Sequence, residues 1–351
     1  MNLDKKTTTT LLLILVFILS NSCLDTPTKL KKQPIKVILD TDMGSDCDDV
    51  GALALLHAYA DLEKAEILAC IYSSGKIPFG AGIIDAINTY YGRKNIPVGA
   101  YQKNDFGDPV DKMNAEKLAK DTIQYHHKII YNTDAIEQTI LNRKVLAAQK
   151  DHSVVYITIG HTKGLYELLN SKADTISSLN GFDLLRKKVS KWVALGALRA
   201  NSENYSKDWN FFSNETAIYT KYLIEHFPSP IHFINAGSNV MTGKSLMNTT
   251  NGNIIKDTYK NWLWKVEKKT LIDQRHSWDL AAVYYAINGE GKYFDPKKAG
   301  ELEFDIIKGY QWRNDEKKSN QFYIHQKENT NYEFANHLNK MIAKTPKANL
   351  N

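Results

Sequence analysis

A run of aspartates follows the first apolar strand-like segment and is the clearest place for chemistry in the sequence. Half of the residues from 40 to 49 are acidic: Asp40, Asp42, Asp46, Asp48 and Asp49. Carboxylates this close repel one another if all are ionised, so the cluster is either spread into water or held together by a cation.

Three alternative roles for the aspartates compete with a catalytic metal site. One or two acids stabilise a helix start, but five exceed that need. An EF-hand loop needs glycine at its sixth position and an acid at its twelfth, and counting from Asp40 gives Ser45 and Gly51. A phosphatase of the haloacid dehalogenase type also begins with a strand and Asp-x-Asp, and it uses the first aspartate as a nucleophile. That class stays open as an alternative, although its later lysine and acidic pair are not evident here.

The overall composition is that of an ordinary globular protein. The chain has 351 residues, of which 43% are hydrophobic and 24% are charged, and its formal net charge is +6. The basic residues are scattered in short groups such as "LKKQ" and "RKK" and form no long block. This distribution does not support nucleic-acid binding.

The amino-terminal segment is typical of an export signal. A short basic region precedes "LLLILVFIL", which is too short to span a bilayer, and "LSNSC" then ends at Cys23. This arrangement resembles the lipobox of bacterial lipoproteins. It predicts a signal peptide over 1–22, a lipidated Cys23 with a flexible tether over 23–34, and a lipid-anchored protein on the periplasmic or outer-membrane face of the bacterial cell envelope. A plain secretory signal is the alternative. No other membrane contact is expected.

Strand-like and helix-like segments alternate from residue 35 to about 290. "IKVILD", "AEILACIYSS", "SVVYITIG", "KVSKWVALGA" and "IHFINAG" are typical of strands, and helical spacings lie between them. The pattern predicts a single α/β domain over 35–344, Rossmann-like, with a central mostly parallel sheet flanked by helices. Residues 102–152 are expected to form helices or an excursion from the sheet, and 345–351 a disordered tail. Ligands in such folds bind beyond the carboxyl ends of the strands, where the aspartates lie.

Several further features favour structural roles. Cys47 and Cys70 are expected to be small buried residues rather than a disulfide. The segment "AGSNVMTGKSL" resembles a P-loop, but its spacing places Ser238 where glycine is required. His57 lies in an apolar helix and is expected to be structural, while His161 is open between lining the site and a structural role.

"DTDMGSDCDDVGAL" resembles the amino-terminal Asp-x-Asp-x-x-x-Asp-Asp signature of the inosine-uridine preferring nucleoside hydrolases. A two-residue insertion aligns Asp48 and Asp49 with the paired acids at the helix start, and it leaves Asp46 as an extra acid of undefined role. Three later segments resemble family motifs in the expected order. They are "ITIGHTKGLYELL" with Ile159, "KDWNFFSNETAI" with Asp208, Trp209 and Asn210, and "HSWDLAAVYYAI" with Trp278 and Asp279.

The resemblance implies calcium-dependent hydrolysis of the N-glycosidic bond of a nucleoside or related N-riboside. It assigns the metal to Asp42, Asp49, Asp279 and the backbone carbonyl of Ile159, with Asp42 also acting as general base. It makes Asp48 a partner of a ribose hydroxyl and assigns substrate binding to Asp208, Trp209, Asn210 and Trp278.

The chain departs from the family at the leaving group. Trp278 occupies the position of a histidine that assists the leaving base, and His276 is a candidate replacement. Stacking of the base on Trp209 and Trp278 is the other route. A lipoprotein that binds a nucleoside or sugar through calcium without cleaving it is the alternative function. The sequence leaves the base, the sugar and homo-oligomer formation open.

Overall fold

The computed structural model describes residues 33–213, 215–317 and 320–347. Residues from Pro34 onward form one compact unit. The predicted signal peptide, Cys23, most of the tether and residues 348–351 of the predicted tail lie outside the described residues, so those predictions stay predictions. Within the described ranges, no helix is both long and apolar enough to cross a bilayer.

The strands alternate with helices along most of the described chain. The strands are β1 (Ile35–Thr41), β2 (Ala65–Tyr72), β3 (Val98–Ala100), β4 (Ile136–Glu137), β5 (Val154–Thr158), β6 (Val189–Leu195), β7 (Ile231–Asn235), β8 (Met241–Thr242), β9 (Arg275–His276), β10 (Lys298–Asp305), β11 (Gly309–Asn314) and β12 (Gln321–His325). The helices are α1 (Asp48–Asp61), α2 (Gly80–Tyr90), α3 (Ala115–Lys120), α4 (Thr122–Tyr125), α5 (Gln138–Ala147), α6 (Lys163–Leu169), α7 (Gly181–Lys188), α8 (Trp209–Phe212), α9 (Ala217–His226), α10 (Ile254–Trp262), α11 (Trp278–Asn288) and α12 (Asn331–Ile342).

Ten of these strands form one sheet in the order β11-β10-β12-β7-β6-β5-β1-β2-β3-β4. The pairs from β12 to β4 are parallel, and β10 pairs antiparallel with both β11 and β12. The predicted single α/β domain with a mostly parallel central sheet is therefore confirmed. From β1 the chain order runs to β2, β3 and β4 on one side and to β5, β6 and β7 on the other. The strand order thus reverses between β1 and β5, and such a reversal opens a crevice at the carboxyl ends of the two strands.

Alternate residues of β1 enter two different cores. Val37 and Leu39 pack with α1 and α11 on one face of the sheet, and Ile38 packs with α5, α6 and α7 on the other. Both faces of the strand are covered, which explains why "VIL" at residues 37–39 is an unbroken apolar run. Helix α1 is buried almost along its whole length, because α11 and α12 cover the side that points away from the sheet.

The carboxyl-terminal antiparallel strands were not foreseen from the sequence. "ELEFD" and "YQWRN" alternate polar and apolar residues, as one-sided edge strands do, and charged and aromatic side chains interrupt any longer apolar run. The region 102–152 contains α3, α4 and α5, in agreement with the expected helices. It also returns to the central sheet, because β4 pairs with β3, and so it is not wholly an excursion. Cys47 and Cys70 are buried free thiols, and the buried His57 ring contacts Asn88 Oδ1 at 2.9 Å, as expected for structural residues.

Candidate active site at the carboxyl ends of β1 and β5

Four aspartates meet at the crevice between β1 and β5. Asp42 follows β1, Asp48 and Asp49 form the first turn of α1, and Asp279 lies in the first turn of α11. Each of the four side chains is buried. Helix N-termini present unpaired N–H groups and a partial positive charge, so both helices favour carboxylates at these positions.

The two helix starts lie directly against each other. One carboxylate oxygen from each of Asp48, Asp49 and Asp279 lies within 4.8 Å of the others. The backbone N–H of Asp279 donates to Asp48 Oδ2 at 3.3 Å, and the Thr41 hydroxyl donates to Asp49 Oδ1. Gly51 permits this close packing, because a Cβ there would lie 2.9 Å from Leu280 Cδ1 of α11. Three acids from distant parts of the chain thereby form one group.

The end of β5 supplies a carbonyl oxygen on the other side of the crevice. Ile159 follows the last residue of β5 and lines the same cavity as the four aspartates. Its carbonyl accepts a hydrogen bond from Asn210 Nδ2 at 2.9 Å. Gly160 then brings the chain against Asp42, since a Cβ at position 160 would lie only 2.5 Å from Asp42 N. The resemblance motif "ITIGHT" therefore places its glycine where a larger residue would displace Asp42.

Burial and mutual repulsion raise the pKa of all four acids. Burial is the largest cause in each case. The charges of Asp49 and Asp108 add to it for Asp42, and the charge of Asp48 adds to it for Asp279. The pKa of Asp49 is raised to about 8 although the Thr41 hydrogen bond opposes the shift. The ionised cluster is therefore unfavourable on its own, and a bound cation would offset the repulsion.

Asp42 belongs to a second buried group that sequence reasoning missed. Its Oδ2 lies 3.6 Å from His161 Nε2, and Asp108 Oδ1 lies 3.4 Å from the same nitrogen. Asp108 Oδ1 also accepts the indole N–H of Trp209 at 2.8 Å. Burial raises the pKa of Asp108. The hydrogen bond to His161 and the electrostatic interaction with His161 lower it more, so the net shift of the Asp108 pKa is downward. Asp108 and His161 thus connect the cavity wall at Trp209 to Asp42.

No local pattern identifies Asp108 as a site residue. It lies in the polar segment "NDFGDPV" of the excursion, where acids are common in exposed loops. His161 was open between two roles, and the structure buries it between Asp42 and Asp108. Only the approach of this loop to the end of β5 brings the two together.

Asp46, whose role the resemblance left undefined, pairs with Arg275. The guanidinium Nε donates to Asp46 Oδ1 at 3.1 Å, Nη2 contacts Oδ2, and Nη1 lies 3.3 Å from Glu267 Oε1. The same guanidinium lies over the rings of Trp262 and Trp278, at 4.2 and 4.9 Å from the ring centres. Two acids and two aromatic rings therefore fix Arg275 at the cavity wall.

Asp208 is engaged by donors of the protein itself. Its Oδ1 caps α8 by accepting the N–H of Phe211 at 2.8 Å, and its Oδ2 accepts the Tyr310 hydroxyl at 2.6 Å and the N–H of Leu198 at 3.2 Å. Burial raises the pKa of Asp208, and these hydrogen bonds oppose that shift. In this structure Asp208 holds the loop after β6, while its neighbours Trp209 and Asn210 also line the cavity.

The acids open into a cavity of about 690 Å³. Small-molecule sites typically have volumes of about 300–1,000 Å³. Trp209 is 48% exposed and Trp278 is partly exposed, and both line the cavity. His276 lies in β9 with its ring centre 4.8 Å from that of Trp278, but it is not among the residues that line the cavity. The remaining predicted site residues of the described chain, from Asp42 to Asp279, all line it.

Comparison with known proteins gives a structural answer only. No protein-family model and no curated protein sequence matches the chain. Among solved structures, the purine-preferring ribonucleoside hydrolase from Gardnerella vaginalis aligns with a TM-score of 0.63 at 14% identity, over 89% of this chain and 99% of the other. The inosine-uridine preferring nucleoside hydrolase from Bacillus anthracis aligns with a TM-score of 0.61 at 14% identity, over 87% and 99%. The chain has the nucleoside hydrolase fold.

The same fold occurs in proteins of other descriptions. The type III effector protein XopQ, solved in complex with adenosine diphosphate ribose, aligns with a TM-score of 0.60 at 13% identity, over 90% of this chain and 95% of the other. At these identities the alignments establish the nucleoside hydrolase fold and leave the chemistry to the residues of this chain.

The donor set fits a hard divalent cation. Carboxylate oxygens of three acids converge, Asp42 and Ile159 line the same cavity, and neither of the two described cysteines, Cys47 and Cys70, lines it. Ca²⁺ accepts such oxygen ligands in flexible geometry. The raised pKa values of these acids also favour a bound cation, because a cation lowers the free energy of the ionised cluster.

Proposed function

We propose that this protein hydrolyses the N-glycosidic bond of a nucleoside or related N-riboside in a calcium-dependent reaction, releasing ribose and the free base. The observation that supports this most strongly is the convergence of Asp42, Asp48, Asp49 and Asp279 at the strand-order reversal, facing a cavity of nucleoside size. The carbonyl of Ile159 and the carboxylates of Asp42, Asp49 and Asp279 would hold the ion.

The proposed chemistry uses the negative charge of the cavity floor. When bound, Ca²⁺ supplies Lewis acidity and a template for ribose hydroxyls and a water molecule. The Asp42 carboxylate accepts a proton from the attacking water. Asp48 accepts a hydrogen bond from a ribose hydroxyl. As the bond from C1′ to the base breaks, its electron pair leaves with the base, and the carboxylates stabilise the positive charge that develops on the ribose.

The leaving base is stabilised by stacking rather than by His276. Trp209 and Trp278 line the cavity, whereas His276 lies outside its lining. General acid catalysis contributes typically ~10²- to 10⁴-fold, so the two routes separate by mutation. We expect His276→Ala to keep inosine hydrolysis within about tenfold of wild type, below that range. A larger loss on inosine with p-nitrophenyl riboside spared would identify His276 as the acid, because nitrophenolate leaves without a proton.

A reducing-sugar assay over a nucleoside panel tests the proposal. Ribose release is expected with calcium and is expected to disappear with EDTA. Asp42→Asn should lower it by at least about hundredfold through loss of the base. Asp151→Asn is the matched control. This exposed acid precedes β5 and therefore lies at the amino ends of the parallel strands, whereas the candidate site lies at their carboxyl ends. Failure to release the sugar from any nucleoside or related N-riboside, with calcium bound, would refute the hydrolase assignment.

A calcium-dependent nucleoside-binding protein is the second candidate. The observation that favours it is Asp208, whose two carboxylate oxygens are used by Phe211, Leu198 and Tyr310. Such a binder would show a rise in melting temperature with calcium and nucleoside but no ribose release. The phosphatase alternative has less support. Its nucleophile would be Asp40, which is buried, accepts a hydrogen bond from Tyr156 at 3.2 Å and does not line the cavity.

We also propose a lipid anchor at Cys23 on the bacterial cell envelope, on the strength of the amino-terminal sequence alone. Cys23→Ser removes the thiol that accepts the lipid and should therefore leave an unprocessed or soluble form. The wild type should stay anchored, because several acyl chains hold a protein stably at a membrane whereas one chain does not. Identical membrane fractionation of wild type and variant would disprove the anchor.

A further inference from the structure

Three cationic side chains that the proposed hydrolysis does not use line the cavity. They are Lys112, Arg199 and Lys207. They come from two loops, the one before α3 and the one between β6 and α8. Arg199 and Lys207 are exposed, and Lys112 is half-buried. The chain's other basic residues are scattered, so three around one cavity wall is a local concentration of charge.

The fold holds these three cations around the segment 207–209. The ammonium of Lys112 lies 5.4 Å from the ring centre of Trp209, and that of Lys207 lies 4.3 Å from the ring centre of Phe212. The N–H of Leu198, next to Arg199, donates to Asp208 Oδ2 at 3.2 Å. The backbone of Arg199 is left-handed, with φ of 59°.

The three cations do not pair with the acids of the cavity. Arg275, which also lines the cavity, contacts Asp46 and Glu267 instead. Across residues 33–213, 215–317 and 320–347, no ion pair connects Lys112, Arg199 or Lys207 to an acid. Asp208, the nearest acid in sequence, already bonds to three donors. The three cationic groups can therefore pair with an anionic group of a ligand.

We infer that Lys112, Arg199 and Lys207 form a subsite for a phosphate group on the substrate, which makes the substrate a phosphorylated N-riboside rather than a plain nucleoside. This inference rests on the proposed function. A ribose whose 2′ and 3′ hydroxyls face the floor has its 5′ hydroxyl free to bear the phosphate. A phosphate monoester has a charge of about −1.5 to −2 at pH 7 and accepts charge-assisted hydrogen bonds from Lys and Arg.

The first test compares ligands by calorimetry in the presence of calcium: ribose, ribose 5-phosphate and inorganic phosphate. We expect ribose 5-phosphate to bind at least tenfold more tightly than ribose, with the advantage decreasing from 50 to 500 mM salt because exposed charges are screened. Equal affinity for the two sugars would overturn the inference. Inorganic phosphate that binds as tightly as ribose 5-phosphate would overturn it as well, because the site would then bind a free anion.

The second test compares variants. The triple variant Lys112→Gln, Arg199→Asn, Lys207→Gln is expected to lose the preference for ribose 5-phosphate over ribose. Asparagine is chosen at 199 because it tolerates the left-handed backbone. Lys94→Gln is the control, since Lys94 is exposed and does not line the cavity, and it should keep the preference. A preference that survives in the triple variant would overturn the subsite.

Turnover separates this inference from the proposed function. Inosine 5′-monophosphate is expected to be hydrolysed with a kcat/KM at least tenfold above that of inosine. Ribose release from inosine at an equal or higher kcat/KM would support the hydrolase and refute the phosphate subsite. Tight binding of ribose 5-phosphate, with no release of ribose from inosine or of ribose 5-phosphate from inosine 5′-monophosphate, would refute the hydrolase and support the subsite.

Discussion

Gly160→Ala tests whether the end of β5 positions Asp42. A Cβ at residue 160 would lie 2.5 Å from Asp42 N and 2.9 Å from Asp42 Cβ and Cγ. Carbon contacts are favourable at about 3.5–4.0 Å, so the two segments must separate by roughly 1 Å. Neither segment moves easily, because the N–H of Ile159 donates to the Asp40 carbonyl at 2.8 Å. The strain therefore falls on Asp42 and on the Ile159 carbonyl.

The expected effects are larger on function than on stability. Overpacking costs about 1–3 kcal/mol, so the variant should fold with a lower melting temperature. Ca²⁺ ligand distances span only about 2.3–2.6 Å, and a displacement of ~1 Å should weaken calcium binding at least tenfold. A misplacement of this size also costs up to ~10²-fold in rate. Isothermal titration with calcium and a ribose-release assay measure the two effects.

Gly164→Ala is the matched control for this variant. Its Cβ would lie 2.7 Å from Gln138 Oε1 and 2.9 Å from Ser73 Cβ, and neither residue lines the cavity. The melting temperature should therefore fall in both variants, while calcium affinity should fall only in Gly160→Ala. Wild-type calcium affinity and turnover in Gly160→Ala would refute the argument that Gly160 is required to position Asp42.

Three further predictions concern the cluster and the core. Asp49→Ala should abolish calcium binding in calorimetry, and EDTA should lower the melting temperature of wild type but hardly that of the variant; equal affinity in both would contradict the metal site. Because burial raises the pKa of Asp49 to about 8, calcium must displace at least one proton, and calcium affinity should rise at least about tenfold from pH 6 to 7. A pH-independent affinity would show that Asp49 is ionised without the metal. Burial lowers the pKa of His57 from 6.5 to about 3, so the unfolded chain binds a proton at this residue more tightly than the folded chain does. The free energy of unfolding is therefore unaffected by His57 above pH 6.5 and decreases as the pH falls towards 3, by about 2 kcal/mol at pH 5. Urea unfolding of His57→Gln should show a shallower decrease between pH 6.5 and 5, and an unchanged slope would argue against a neutral buried His57.

The sequence by itself determined the elements that present the acids. The unbroken apolar run of β1 ends at the aspartates, and the apolar spacing that follows predicts α1. The alternation of strands and helices in the sequence also determined a parallel sheet. Neighbouring parallel strands need a crossover connection, and the helices between the strands provide it. These are short-range patterns, and they also locate Asp42, Asp48 and Asp49 at one strand end and one helix start. The approach of Ile159 and Asp279 was expected only through resemblance to a family.

The tertiary structure decided which side chains face one another. Arg275 meets Asp46 across 229 residues, and Trp209 meets Asp108 across 101 residues. No periodic sequence pattern encodes such pairs, because they depend on how loops pack over the carboxyl ends of the strands. The same packing brings both carboxylate oxygens of Asp208 into hydrogen bonds with the backbone of Leu198 and Phe211. It also leaves His276 outside the lining of the cavity. Local sequence specifies hydrogen-bonded elements, whereas the partners of a buried charge are set by desolvation and packing of distant segments, which only the folded chain brings together.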